Sequence, residues 1–139
     1  MRRLRSVLAA ALMIASTVTL RPADGAQTAA DRWFVTSDGV RLHYMEAGPR
    51  NAPTIVFVPG WTMPAWIWQP QIDALSATYH VVALDPRGQG ESDVPSTGYD
   101  QDRRGEDIGE LIRTVGHTPV LLVGWSLGVL DALAYVHMS

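Results

Sequence analysis

One stretch limits this chain more than any other. Residues 119–136 read Pro119-Val120-Leu121-Leu122-Val123-Gly124-Trp125-Ser126-Leu127-Gly128-Val129-Leu130-Asp131-Ala132-Leu133-Ala134-Tyr135-Val136. No polar side chain interrupts Val120 to Val123, and a proline marks the start, which is the pattern of a buried strand. Gly124-x-Ser126-x-Gly128 follows, and then a helical pattern rich in Ala and Leu. Strand, G-x-S-x-G and helix, in that order, make a nucleophile elbow. The backbone must reverse sharply, so Ser126 at the apex takes a strained conformation. A side chain two residues to either side would strike the facing backbone, which is why Gly124 and Gly128 are glycines. The hydroxyl then stands clear of the sheet at the positive end of the helix, where developing negative charge is stabilised. The bland alternative is a glycine-rich turn in which Ser126 merely caps the helix.

At 139 residues the chain has the length of about one small domain. All eleven basic residues are arginine, and the net charge is -3, so there is no basic footprint for nucleic acid. Met1-Arg2-Arg3-Leu4-Arg5 followed by the apolar Val7 to Leu20 and small residues at 23–30 reads as an export signal, with the domain proper at 31–139. The apolar run falls short of the about 20 residues of a membrane span. Export to a periplasmic or extracellular space is therefore expected, with no stable membrane anchor after cleavage. Beyond residue 30, seven arginines face thirteen acids. The absence of cysteine removes disulfides and thiolate metal sites.

After the leader the pattern turns to β. Trp33 to Thr36 and Val40 to Glu46 flank Ser37-Asp38-Gly39, a hairpin signal. The alternation of the second run predicts a half-exposed edge strand. Thr54 to Val58 and Tyr79 to Leu84 read as buried strands, Ala65 to Ala77 as a helix, and Asp100 to Val115 as an amphipathic helix ended by Gly116. On that last helix Ile108, Leu111, Ile112 and Val115 form the apolar face, with Arg103, Arg104, Asp107 and Glu110 elsewhere. This order implies an α/β architecture: a mostly parallel sheet with an antiparallel amino-terminal hairpin and helices on both faces. Ligands bind at the carboxyl ends of such strands. Three loops leave those ends, at Pro59-Gly60-Trp61, Asp85 to Ser92 and Gly124 to Gly128.

Val56-Phe57-Val58-Pro59-Gly60-Trp61, then Asp85-Pro86-Arg87-Gly88-Gln89-Gly90-Glu91-Ser92, then Gly124-Trp125-Ser126-Leu127-Gly128, together resemble the first half of an α/β-hydrolase. The likeness is greatest to the esterase, haloperoxidase and epoxide-hydrolase-like branch. It implies Ser126 as nucleophile and an oxyanion hole from the backbone N–H groups of Leu127 and Trp61. Family members usually carry histidine where this chain has Pro59, so a side chain that often hydrogen-bonds near the hole is absent while the backbone donor stays. Related epoxide hydrolases and dehalogenases use aspartate as nucleophile, so serine points to acyl transfer on a small-molecule carboxylic ester or related substrate. No metal or organic cofactor is implied.

A serine hydroxyl needs a base, and in this fold the acid and histidine follow the serine. After Ser126 only Asp131 and His137 offer themselves, both on the elbow helix. At 1.5 Å per residue His137 stands roughly 15 Å off, out of reach of the hydroxyl. Both read as helix-surface residues, and the triad's acid and base are none of the residues in this chain. His43, His80 and His117 read as surface or structural histidines, not as metal ligands. Asp85 reads as a partner for loop amides and Arg87 as the partner of an acid. Trp61, Trp66 and Trp68 suit either an acyl pocket or the packing of a helix on the sheet. The chain is thus expected to be the front part of a longer hydrolase, or a truncated product lacking activity or acting as a binding module. An unpaired apolar edge at Val120 to Val123 would go with that.

Overall fold

The computed structural model describes residues 28–116 and 119–139. Most of the segment read as an export signal, and His117, lie outside the described residues. Five strands form one sheet: β1 Ala30–Val35, β2 Arg41–Ala47, β3 Thr54–Val58, β4 His80–Leu84 and β5 Val120–Gly124. Their spatial order is β1-β2-β4-β3-β5. β1 pairs antiparallel with β2, and β2 antiparallel with β4. β4, β3 and β5 run parallel, with Phe57 beside Ala83 on one side and Val123 on the other.

Alternate residues of the parallel strands feed two cores, as period-two side chains must. Val56, Val58, Val82 and Leu84 pack under Ile108, Leu111 and Ile112 of α2 (Gln101–Val115). Ile55, Phe57, Val81 and Ala83 pack under Ala65, Trp68 and Ile72. Helices thus cover both faces. α2 begins at Asp100, whose side chain accepts from the Arg103 N–H, and ends at Gly116 with φ 77°. α3 (Leu127–Met138) follows β5 directly and lies along α2.

Several expectations change. β2 is no edge: it sits between β1 and β4, and His43, Tyr44 and Glu46 are buried. Its alternation arises because polar groups on it find internal partners. The helix expected over Ala65 to Ala77 is a 3₁₀ turn, Ala65–Trp68, leading into the short α1 at Gln69–Leu75. Pro70 suits the first turn of α1, where a missing N–H costs nothing. Arg104 and Asp107 are not on a solvated face of α2 but buried, and Asp131 on α3 is 2% exposed. β5 pairs with β3 alone among the described residues.

Candidate active site

The reversal from β5 to α3 has the geometry that the glycine spacing requires. Ser126 adopts φ 53° and ψ -120°, a conformation that L-residues avoid. The turn is closed by the Gly128 N–H donating to Trp125 O at 2.9 Å and the Val129 N–H to Ser126 O at 3.0 Å. A Cβ on Gly124 would stand 2.7 Å from the Gly128 carbonyl oxygen, and one on Gly128 would stand 2.6 Å from that of Pro59. The Ser126 side chain makes no capping hydrogen bond to α3, and the residue is exposed. The simple helix-cap alternative therefore fails: the strain does not serve the helix terminus.

The loop after β3 lies against this apex. The Trp125 N–H donates to Val58 O at 3.0 Å, and a Cβ on Gly60 would sit 3.0 Å from the Ser126 Cβ. The chain then passes through Trp61 and Thr62, the latter with φ 60°, and is turned by Met63 N–H to Gly60 O at 3.3 Å. Leu127 opens α3, where an amide has no intrahelical acceptor, and its N–H is part of the positive end of the helix dipole. Among the described residues neither the Trp61 nor the Leu127 N–H donates to a backbone carbonyl. No imidazole hydrogen-bonds Ser126 among them either. His137 is exposed near the far end of α3.

Asp85 and Arg87 build the scaffold behind the apex. Asp85, at the end of β4, accepts from the Ala65 N–H with one oxygen. With the other it accepts from the Glu91 N–H at 2.9 Å and lies 2.7 Å from His43 Nδ1. It therefore ties the far end of the Gly60–Pro64 loop to β4 and β2. Arg87, fully buried, donates Nε and Nη2 to Asp107, both at 2.7 Å, and Nη1 to Asp38 at 3.0 Å. Burial works against its charge, but the two carboxylates outweigh burial and raise its pKa above the ordinary value. Asp85 and Arg87 thus do what the residues suggested. Of the tryptophans, Trp68 packs on Phe57 with ring centroids 4.6 Å apart, whereas Trp61 and Trp66 are exposed.

Two features escaped the sequence. His43 is a buried link between Asp85 and Asp31, the latter 3.1 Å from Nε2. Arg104 and Asp131 form a bidentate pair between α2 and α3, Nε to Oδ1 at 3.0 Å and Nη2 to Oδ2 at 2.6 Å. Their helical spacing held a signal. Asp131 lies three residues beyond Gly128 on one face of α3, and Arg104 adjoins Gly105, whose bare Cα lets α3 approach.

Fold and sequence agree on the class. Residues 53–138 match the family model for the α/β hydrolase fold, and the chain belongs to that family. It is 38% identical over 102 residues to a non-heme chloroperoxidase of Streptomyces lividans, covering 73% of this chain and 37% of that protein. It is 34% identical over 100 residues to a soluble epoxide hydrolase of Corynebacterium sp., covering 70% of this chain and 34% of that protein. An esterase from Rhodococcus sp. superposes with a TM-score of 0.72 at 32% identity, over 78% of this chain and 40% of the esterase. The chain therefore spans well under half the length of these relatives. Among the described residues no helix is long and apolar enough to cross a membrane, and no group of three or more acidic, histidine or cysteine residues could hold a metal ion.

Proposed function

We propose that this chain is the nucleophile-bearing part of an exported serine hydrolase acting on carboxylic esters or related acyl compounds. The observation that carries the reading is the backbone of Ser126, strained at φ 53° while its side chain makes no capping hydrogen bond. Strain of this kind costs on the order of 1–3 kcal/mol and persists where a function requires it. Serine rather than aspartate at the apex favours an acyl-enzyme over an alkyl-enzyme intermediate. That separates the chain from the epoxide-hydrolase side of its resemblance.

In this reading the Ser126 oxygen attacks the substrate carbonyl, and a histidine outside this chain takes its proton and later delivers it to the leaving group. The Leu127 and Trp61 N–H groups stabilise the oxyanion, about 3 kcal/mol for each donor. Water then releases the acid. The test is labelling of the full-length polypeptide with a fluorophosphonate probe, which reacts only with an activated serine. Wild type should label and Ser126→Ala should not. A wild type that stays unlabelled while folded supports the inactive remnant, and persistent labelling in the alanine variant removes Ser126 from its role.

A further inference from the structure

Two arginines are buried among the described residues, and they invite comparison. Arg87 spends Nε and Nη2 on Asp107 and turns Nη1 to a second carboxylate, that of Asp38. Arg104 is 4% exposed and makes the same Nε and Nη2 fork to Asp131. Its Nη1, however, is buried and has no hydrogen-bond partner among the described residues. Leaving a buried donor unpaired is unfavourable, and more so when it is charged. A guanidinium in a two-carboxylate site is already present in this fold; at Arg104 only one carboxylate comes from the chain.

Arg104 also lines a cavity of about 250 Å³ together with Trp61, Tyr99, Gln101, Leu127, Leu130 and Asp131. Two of these walls, Trp61 and Leu127, are the residues assigned to the oxyanion hole. A group seated in the cavity thus lies beside both residues whose amides would hold the oxyanion. Leu130 and Trp61 offer apolar contact to a short acyl chain, and the buried guanidinium offers charge at its end. The Asp131 carboxylate shares the cavity, but both of its oxygens already accept from Arg104. Reaching Nη1 takes a side-chain shift at the rim, where Tyr99 and Gln101 are exposed.

We propose that Arg104 is a specificity residue that receives a carboxylate on the acyl part of the substrate, so that the preferred substrates are monoesters of short dicarboxylic acids. This rests on Ser126 being the nucleophile. A hydrogen bond from a charged donor to a carboxylate is worth about 10- to 100-fold in affinity.

The experiment is steady-state hydrolysis by the full-length polypeptide of two esters of matched acyl length, 4-nitrophenyl hemisuccinate and 4-nitrophenyl butyrate. Wild type should prefer the hemisuccinate in kcat/KM. Arg104→Gln should lower kcat/KM for the hemisuccinate about 10- to 100-fold more than for the butyrate, through KM, and so erase the preference. Equal losses on both esters would make the Arg104–Asp131 pair purely structural and overturn the assignment. Should Arg104→Gln fail to fold, inhibition of wild-type butyrate hydrolysis decides: succinate should inhibit well below the concentration at which butyrate does, and equal inhibition overturns the proposal. Hydrolysis of the butyrate ester that needs Ser126 but shows no carboxylate preference overturns the Arg104 assignment alone. Hydrolysis that survives Ser126→Ala overturns the nucleophile reading beneath it.

Discussion

At Ser126 a single residue carries a backbone conformation that nothing in the local sequence favours, and its neighbours pin it there. Gly128 is the tightest of them: any side chain would enter the space held by the carbonyls of Val58 and Pro59 at the end of β3. The Val58 carbonyl also accepts from the Trp125 N–H, so relief must come from the elbow itself. Gly128→Ala should therefore lower stability by about 3 kcal/mol, read by denaturant unfolding of the full-length polypeptide. It should also cut the rate of fluorophosphonate labelling, because the Ser126 apex and the Leu127 amide shift together. A variant that keeps wild-type stability and labelling rate would show that the elbow has slack. This part of the site was legible because the steric rule has few solutions: small residues two before and two after a serine, between an apolar strand and a helix. The pairing of Arg104 with Asp131 left only a faint trace, a glycine near each charge, and no partner could be read from it. A charged residue on a helix defaults to the surface, and only the approach of a second helix, invisible in one sequence, decides otherwise.

At the scale of elements, the hairpin turn, the β4 loop and α2 are joined through Arg87. Asp107 on α2 and Asp38 in the turn between β1 and β2 grip one buried guanidinium from two directions. Removing one partner strands the charge, so Asp107→Ala should cost about 3–5 kcal/mol, measured by chemical denaturation. Asp38 also gives a pH dependence. The Arg87 guanidinium beside it, helped by the Thr36 hydroxyl, outweighs burial and holds its carboxyl at about 2, below the ordinary 3.8. A depressed folded-state value means that stability is fully present above about pH 4 and is lost as pH falls toward 2. In Asp38→Asn that part of the acid slope should vanish, read as melting temperature against pH; an unchanged slope would mean that Asp38 is not paired in solution. The order of these elements was readable from period and punctuation. What failed was the position of β2, because the alternation of His43, Tyr44, Met45 and Glu46 looks solvent-facing until partners are known. His80 and Glu46, 2.8 Å apart, are such partners, contributed by adjacent strands distant in sequence.

At the scale of the whole molecule, the two elements at the β5 edge of the sheet both carry exposed apolar side chains. Leu121 on β5 is 61% exposed, and Leu133 and Val136 on α3 are 58% and 61% exposed, with Val129 and Leu130 beside them. β5 has one strand neighbour among the described residues, so its other edge presents backbone donors and acceptors next to this apolar strip. An unpaired apolar edge of that kind recruits another strand. The 139-residue chain produced by itself should therefore self-associate, with a sedimentation coefficient that rises with concentration. Leu121→Lys combined with Leu133→Lys puts charge on both strip and edge and should return the chain toward monomer without loss of helix or strand content by circular dichroism. Both positions are exposed, so neither substitution removes a core contact, and a fall in stability is not expected. If the wild-type chain sediments as a monomer at every concentration, the strip is too weak to drive association. The apolar face is then an ordinary feature of this surface.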